Sequence, residues 1–139
     1  MNLITDRTME DVLNKTSKGV YNASDLNRVE EAVQYLSFIV STLTQVDQLS
    51  TKTNWGEPGA FSANDWPVEK QMQRYLNNVK RLCESVGVSV WTPSSMKELN
   101  YQGANQIEIA LTQVLNYVRA NYKEYQYSGD LFAGEENLL

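Results

Sequence analysis

The sequence has no histidine and only one cysteine, Cys83, among its 139 residues. Without histidine, the chain lacks the side chain that most often serves as a general base or binds a transition metal. A single thiol excludes a disulfide within the chain and fits assembly inside a cell. Cys83 falls in the apolar stripe of a predicted helix and has no histidine to activate it, so we expect a core thiol rather than a nucleophile.

Long apolar runs are also missing. The longest apolar-rich stretch, residues 36–40, is interrupted by Ser37 and is too short to cross a membrane. The first residues show no basic region followed by an apolar run, so no secretory signal is expected. No glycine-rich phosphate-binding loop and no cluster with metal-ligand spacing occurs. We therefore expect no cofactor, no metal and no enzymatic activity.

Positive charge is in the minority, with 12 Lys and Arg against 17 Asp and Glu and a net charge of -5. Nucleic acids and anionic membranes both attract basic surfaces, so we expect neither as a partner. Hydrophobic residues make up 42% of the chain and charged residues 21%, which is typical of a globular domain. The length is enough for one domain with its own core.

The clearest helix is predicted from Ser24 to Leu49. Either Asn22 or Ser24 is its expected cap, with Asp25 in the first turn. Glu30 and Glu31 are assigned to its polar side, which favours a solvated surface over a catalytic carboxylate pair. Its apolar residues recur at helical spacing and form a heptad seam of Leu26, Val29, Val33, Leu36, Val40 and Leu43.

The remaining pattern predicts three further helices. Thr8 is the expected cap of the first, with Asp11 as its reciprocal partner, and Asn100 is the expected cap of the last. Residues 88–91 alternate in polarity, but so short a stretch predicts a strand only weakly. The predicted helices run from Thr8 to Thr16, from Asp65 or Trp66 to Gly87, and from Asn100 to near Tyr125.

The expected fold is therefore all-α. Three long helices that are each apolar on one face must bury those faces together, and an antiparallel bundle with the short first helix across it is the simplest solution. If the Leu26–Leu43 seam instead runs between chains, the helix forms a coiled coil with copies of itself. We expect the helical bundle domain to span residues 1–126. Residues 127–139, with two glycines and no positive charge, are expected to form an extended acidic arm.

Aromatic side chains are the main candidates for binding. In predicted loops, aromatic residues plug the ends of a bundle, anchor protein interfaces or stack on sugars, and the sequence leaves all three open. The C-terminal arm adds further apolar residues. The candidates are Trp55, Phe61 and Trp66 around one loop, Trp91 in another, and Tyr127, Leu131 and Phe132 in the arm.

Basic residues line one side of the third predicted helix. Lys70, Arg74 and Arg81 follow one another at helical spacing. A solvated face is the simpler interpretation. The alternative is a surface for an acidic partner, such as the acidic arm of a neighbouring copy.

The chain resembles a family of small phage and prophage structural proteins of Gram-positive bacteria, which are encoded among tail or baseplate genes. The resemblance covers nearly the whole chain in order. Its segments are residues 4–8, 18–22, 25–30 and 71–79, then Pro93, Ser95-Met96, Leu99, Tyr101, Ala104-Asn105 and Ile107-Glu108, and finally residues 127–131 and 134–135.

The resemblance implies a virion component of a tail, baseplate or host-attachment device, assembled in the host cytoplasm. Its expected partners are other phage structural proteins, and a homo-oligomer is expected because phage appendages are symmetric. Tyr21, Asp25, Asn27 and Arg28 are expected to hold a helix start in place, with Arg28 bridging either to Asp25 or to a carbonyl across the bundle. The alternative is a module that binds a host surface glycan or receptor through Trp55 and the other loop tryptophans.

Overall fold

The computed structural model describes residues 2–19, 21–44, 47–57, 69–97 and 99–121. Its helices are α1 (Met9–Leu13), α2 (Ala23–Thr44), α3 (Glu69–Val86) and α4 (Tyr101–Asn121). The three long helices pack pairwise around one core, so the all-helical class is confirmed. No helix among the described residues is long and apolar enough to cross a membrane. The predicted start of α3, the predicted end of α4 and the arm 127–139 lie outside the described residues.

The predicted helix ends are largely confirmed by their hydrogen bonds. The backbone N–H of Asp11 donates to Thr8 Oγ1, and the Asp11 carboxylate accepts from the Thr8 N–H, which completes the capping box. The hydrogen bond from the Thr8 backbone holds the pKa of Asp11 below its usual range. Asn22 and Asn100 cap α2 and α4 through their side-chain oxygens. Gly87, at φ +77°, ends α3 in the left-handed conformation.

Two predicted helices are longer than the observed ones. The first ends at Leu13, because Lys15 adopts φ +52° and turns the chain. The second was expected to reach Leu49, but residues 47–49 are not helical. The Leu49 N–H instead donates to Ser37 Oγ at 2.7 Å, which turns the chain back along α2.

The predicted apolar seam of α2 is buried within the chain from Val29 to Val40. Val29, Val33, Leu36 and Val40 are each at most 4% exposed, so the seam does not run between chains. α3 and α4 bury the same positions, counted from the first residue of each helix. The matching buried triplets are Val29/Tyr75/Ile107, Ala32/Asn78/Ala110, Val33/Val79/Leu111, Leu36/Leu82/Val114, Ser37/Cys83/Leu115 and Val40/Val86/Val118.

The direction of α3 is opposite to the one we expected. Arg74 of α3 contacts Glu30 of α2. Nearer the C-terminal ends, residues 81–85 of α3 line a small cavity with residues 37–41 of α2. Residue numbers therefore rise together along the two helices, which run parallel. The antiparallel arrangement is wrong for this pair.

α4 also runs in the direction of the other two long helices. The Nζ of Lys97, shortly before α4, lies 3.8 Å from Oε1 of Glu69 at the start of α3. Near the start of α2, Arg28 contacts Glu108 in the first half of α4. The antiparallel expectation assumed the short connections of an up-and-down bundle. Residues 45–68 and 87–100 are long enough for the chain to return along the bundle before each new helix.

Three extended segments lie in the grooves of the bundle, and we call them straps. Strap 1 (residues 2–7) lies between α4 and α2, strap 2 (residues 47–55) between α2 and α3, and strap 3 (residues 88–97) between α3 and α4. Each strap runs against the helix direction. The ordered contact pairs are Ile4–Glu108 and Arg7–Asn105, Leu49–Ser37 and Trp55–Asn27, and Trp91–Gln106 and Pro93–Gly103.

Candidate functional site

A buried ionic network joins strap 1 to α4 and α2, and we call it the α4–α2 corner (Arg7, Asp25, Arg28, Asn105 and Glu108). Glu108 is 0% exposed. Arg28 donates to both of its carboxylate oxygens, at 2.7 and 2.8 Å, and Arg7 Nη2 donates at 2.6 Å. Both arginines also contact Asp25, as was expected for Arg28. Two cations thus balance two carboxylates, which makes the burial of Arg7, Asp25 and Glu108 tolerable, while Arg28 stays 20% exposed at the edge of the network.

Arg7 is held by its backbone as well as by its side chain. The Asn105 carboxamide accepts from the Arg7 N–H and donates to the Arg7 carbonyl, both at 3.0 Å. The Arg7 guanidinium also donates to the carbonyls of Ile4 and Lys18. Arg7 therefore fixes residues 2–19 on the bundle, and we expect its role to be structural.

Two tyrosine hydroxyls meet beside this corner. Tyr21 and Tyr75 share a short hydrogen bond, and the Arg7 guanidinium lies over the Tyr21 ring. Burial away from water raises the pKa of both hydroxyls well above the usual value for tyrosine. Arg28 also has a raised pKa: burial acts to lower it, but the hydrogen bonds to Glu108 and Asp25 outweigh that effect. Tyr21, Tyr75 and Arg28 therefore keep their protons to a higher pH than exposed side chains of the same types.

A second network joins strap 2 to α2 and α3, and we call it the α2–α3 corner (Asn27, Glu30, Ser50, Trp55 and Arg74). Glu30 is 1% exposed, so its assignment to a solvated face is wrong, whereas Glu31 is exposed as expected. The Glu30 carboxylate accepts two hydrogen bonds from the Arg74 guanidinium, at 2.9 and 2.7 Å, and one from Trp55 Nε1, at 2.8 Å. Asn27 bonds both the N–H and the carbonyl of Trp55.

The two corners use the same positions of their helices. Asn27 and Asn105 are each the fifth residue of a helix, and Glu30 and Glu108 are each the eighth. The arginine that binds each glutamate is the sixth residue of a neighbouring helix. Arg74 of α3 binds Glu30, and Arg28 of α2 binds Glu108. The bundle is therefore pseudo-threefold in its backbone arrangement, and straps 1 and 2 are each held by an Asn-x-x-Glu pair of the helix on one side of the groove.

The third corner departs from this pattern. At the α3–α4 corner (Gln73, Leu76 and Gln106), Leu76 takes the glutamate position and Gln106 the arginine position. Gln106 donates instead to the carbonyl of Trp91. A cleft of about 420 Å³ opens beside Leu76, and its apolar walls are formed by Leu26, Met72, Leu76, Met96 and Leu99. Its rim carries one charge of each sign, Glu69 and Lys97.

The structure separates the predicted tryptophans. Trp55 is 2% exposed and lies in the groove between α2 and α3 rather than at an end of the bundle, so its indole is not accessible for stacking on a sugar. Trp91 is 64% exposed and lines a shallow cleft with Pro93 and Ser94. The other predicted candidates lie outside the described residues: Phe61, Trp66, Tyr127, Leu131 and Phe132.

The predicted basic side of α3 does not act as one surface. Arg74 is bound to Glu30 and to the carbonyl of Ser50, so most of its side chain lies in the groove and only 22% is exposed. Lys70 and Arg81 are exposed, as a solvated face requires. Of the three predicted cations, Lys70 and Arg81 are therefore the ones that an acidic partner would contact.

The described part of the chain offers little for acid–base or metal chemistry. Cys83 is buried among core side chains, and burial raises the pKa of its thiol. The buried carboxylates Asp25, Glu30 and Glu108 are each bound by arginine. Within the described ranges, no three side chains of the metal-ligating types lie close enough together to hold an ion.

Sequence reasoning missed the α4–α2 and α2–α3 corners and the cleft beside Leu76. The available signal was the repeated Asn-x-x-Glu spacing, at 27 and 30 and again at 105 and 108. The cleft had no such signal, because its walls come from distant parts of the chain. Comparison of the chain with protein-family models, with curated proteins and with solved structures finds no match.

Proposed function

We propose that this chain is a structural component of a phage virion, in a tail, baseplate or host-attachment device, and that it works by protein–protein assembly. The observation that carries the proposal is the distribution of polar and apolar groups. The buried charges of the described corners are bound to one another, while large apolar side chains remain on the surface. Exposed apolar side chains of this kind mark interfaces in soluble proteins.

α1 is the clearest example of such a surface. Met9, Val12 and Leu13 are 54%, 38% and 71% exposed, and no residue of α1 is buried. The helix is nevertheless held in place. The Thr8–Asp11 capping box fixes its first turn, and Arg7, just before the helix, donates to the carbonyl of Lys18, just after it. A rigid apolar ridge outside the core contributes little to folding and is suited to contact a partner.

The resemblance to phage structural proteins supports the same proposal. The segments that carry it include Arg7, Asp25, Arg28, Arg74 and Glu108, which are corner residues. The shared pattern thus falls on residues that keep the straps on the bundle. This is the pattern expected of a family related by a scaffold rather than by catalysis.

Mass spectrometry of purified particles tests the virion assignment. Particles released from a host that carries the gene and purified by density gradient are expected to contain the chain in a fixed ratio to other tail proteins. Chain that is present in the lysate but absent from intact particles would contradict the proposal.

A second candidate is a receptor- or glycan-binding module, favoured by the exposure of Trp91. An exposed indole beside a cleft that also contains Ser94 and Asn100 is a suitable platform for a sugar ring. Trp91→Ala is then expected to abolish binding to host cell-wall polysaccharide, while Phe38→Ala, which removes another exposed ring, leaves it intact. Equal binding by both variants would eliminate this candidate.

A further inference from the structure

Among the residues that the structure describes, the α3–α4 corner is the place where the repeated pattern of the bundle leaves space. In the other two corners a strap residue fills the equivalent region: Arg7 is 4% exposed and Trp55 is 2% exposed. In the third, Leu76 replaces the glutamate and faces the cleft of about 420 Å³. This volume lies within the range of about 300–1,000 Å³ that is typical of ligand pockets.

We propose that this cleft binds the C-terminal arm of a second copy of the chain, with Leu131 and Phe132 against Met72, Met96 and Leu99. The inference rests on the proposed function, because it names the partner and the site through which the chain self-assembles. The cleft chemistry fits an apolar segment, since methionine side chains adapt their shape to aromatic and aliphatic groups. The two other corners show the mode, in which an extended segment inserts one large side chain.

The parallel direction of the helices decides between the arm of the same chain and that of a neighbour. The cleft lies at the N-terminal ends of the helices, whereas α4 ends at Asn121 at the other end. From Tyr101 to Asn121 the helix spans about 30 Å at ~1.5 Å per residue. From Asn121 to Leu131, a fully extended chain covers only about 33–36 Å. A return to its own cleft would therefore need nearly complete extension, which a neighbouring copy does not require.

The contact between copies joins two different surfaces, a cleft and an arm. Two copies that exchange arms form a closed dimer, whereas copies that pass the arm to the next neighbour form a ring or a filament. The cleft rim carries Glu69 and Lys97, which leaves it without net charge. Apolar burial then supplies most of the affinity, and we expect the assembly to change little between 0.05 and 0.5 M salt, roughly the range over which exposed charges become screened.

Complementation between two full-length variants tests the proposal. Met96→Asp blocks the cleft, and the double substitution Leu131→Asp/Phe132→Asp blocks the arm. Each variant alone is expected to lose self-association by about tenfold or more, since a charge must be desolvated to occupy the contact. Mixed together, they are expected to form a one-to-one dimer and nothing larger, because one working cleft and one working arm remain. Gln113→Asp, at an exposed polar site of α4 outside the cleft, is the matched control and is expected to assemble as the parent does.

The outcomes separate this inference from the proposed function. If both blocked variants assemble like the parent chain, self-assembly stands and the cleft–arm contact is overturned. If the parent chain is monomeric, both are overturned. If the blocked variants are monomeric and their mixture stays monomeric, the cleft does not bind a neighbour's arm. If Met96→Asp loses its helical circular dichroism, a competition experiment takes its place, in which a free peptide of residues 122–139 is added to the parent chain. The peptide is expected to dissociate the assembly, and failure to do so overturns the inference.

Discussion

Arg74 donates both terminal nitrogens of its guanidinium to the carboxylate of Glu30, 44 residues earlier in the chain. Arg28 binds Glu108 in the same bidentate manner across 80 residues, through Nε and one terminal nitrogen. Each pair joins neighbouring helices at equivalent positions and holds a strap between them. The pseudo-threefold bundle is therefore fixed by two ionic corners, and the third corner is apolar.

Breaking one corner is expected to destabilise the fold strongly. Glu30→Leu leaves the Arg74 guanidinium and the Trp55 indole N–H without their shared acceptor, and the free energy of unfolding should fall by about 3–5 kcal/mol. Urea denaturation followed by circular dichroism measures the loss. The double variant Glu30→Leu/Arg74→Gln copies the Leu76 and Gln106 of the third corner and is expected to regain at least half of it. A double variant as unstable as the single one would show that the corners are not equivalent.

The two asparagine clamps are expected to act on separate straps. Asn27→Ala removes the partner of the Trp55 backbone, and Asn105→Ala that of the Arg7 backbone, with a cost of about 1–3 kcal/mol each. Hydrogen exchange should accelerate at the Trp55 amide in the first variant and at the Arg7 amide in the second. Asn77→Ala, which alters an exposed asparagine of α3, is the control and should change stability by less than about 0.5 kcal/mol. Acceleration of both straps in either variant would contradict independent clamping.

The two described tryptophans are expected to differ in access to a quencher. Acrylamide should reach the indole of Trp91, at 64% exposure, and not that of Trp55, at 2%. Trp91→Phe should therefore remove much of the quenchable fluorescence, while Trp55→Phe raises the quenchable fraction. Trp55→Ala is also expected to cost about 3–5 kcal/mol of stability through the cavity it leaves. Equal quenching of the two Phe variants would show that Trp55 does not fill its groove.

The tyrosine pair is expected to make the fold sensitive to high pH. Tyr21 and Tyr75 have a raised pKa in the folded chain because burial disfavours the phenolate, while in the unfolded chain both titrate near about 10. The unfolded chain thus loses protons first. The contribution of the two hydroxyls to the free energy of unfolding is fully present below about pH 10. It is lost as the pH rises from there through the folded-state pKa, at up to ~1.4 kcal/mol per pH unit for each group. Tyr21→Phe/Tyr75→Phe should flatten this decline, whereas Tyr117→Phe, at a half-exposed site, should not.

Much of the fold was predictable from local patterns, but its topology was not. The seam around Val29 and Val33 and the caps Thr8 and Asn100 depend on neighbouring residues, and the structure confirms them. Helix direction depends on how far the connections travel, and periodicity contains no information about that. Glu30 follows a buried valine and precedes an exposed glutamate, so only its distant arginine explains its burial.

The site was predictable only in part, for the same reason. The loop tryptophans were identified as candidates, but their sequence context does not distinguish Trp55, which meets Asn27 and Glu30, from Trp91. The cleft combines Leu26, Met72 and Met96 from three separate segments. In the sequence, each of these residues has the pattern of an ordinary apolar position, and only their assembly at one end of a parallel bundle defines a cleft.

The central claim is that the chain works by assembling with itself and with other virion proteins. Multi-angle light scattering of the purified full-length chain over a range of concentrations tests it most directly. The account predicts a mass that is a multiple of 15.8 kDa and that rises with concentration at both low and moderate salt. A mass of 15.8 kDa at every concentration up to about 1 mM, which is the weak limit of specific association at roughly 4 kcal/mol, would contradict it.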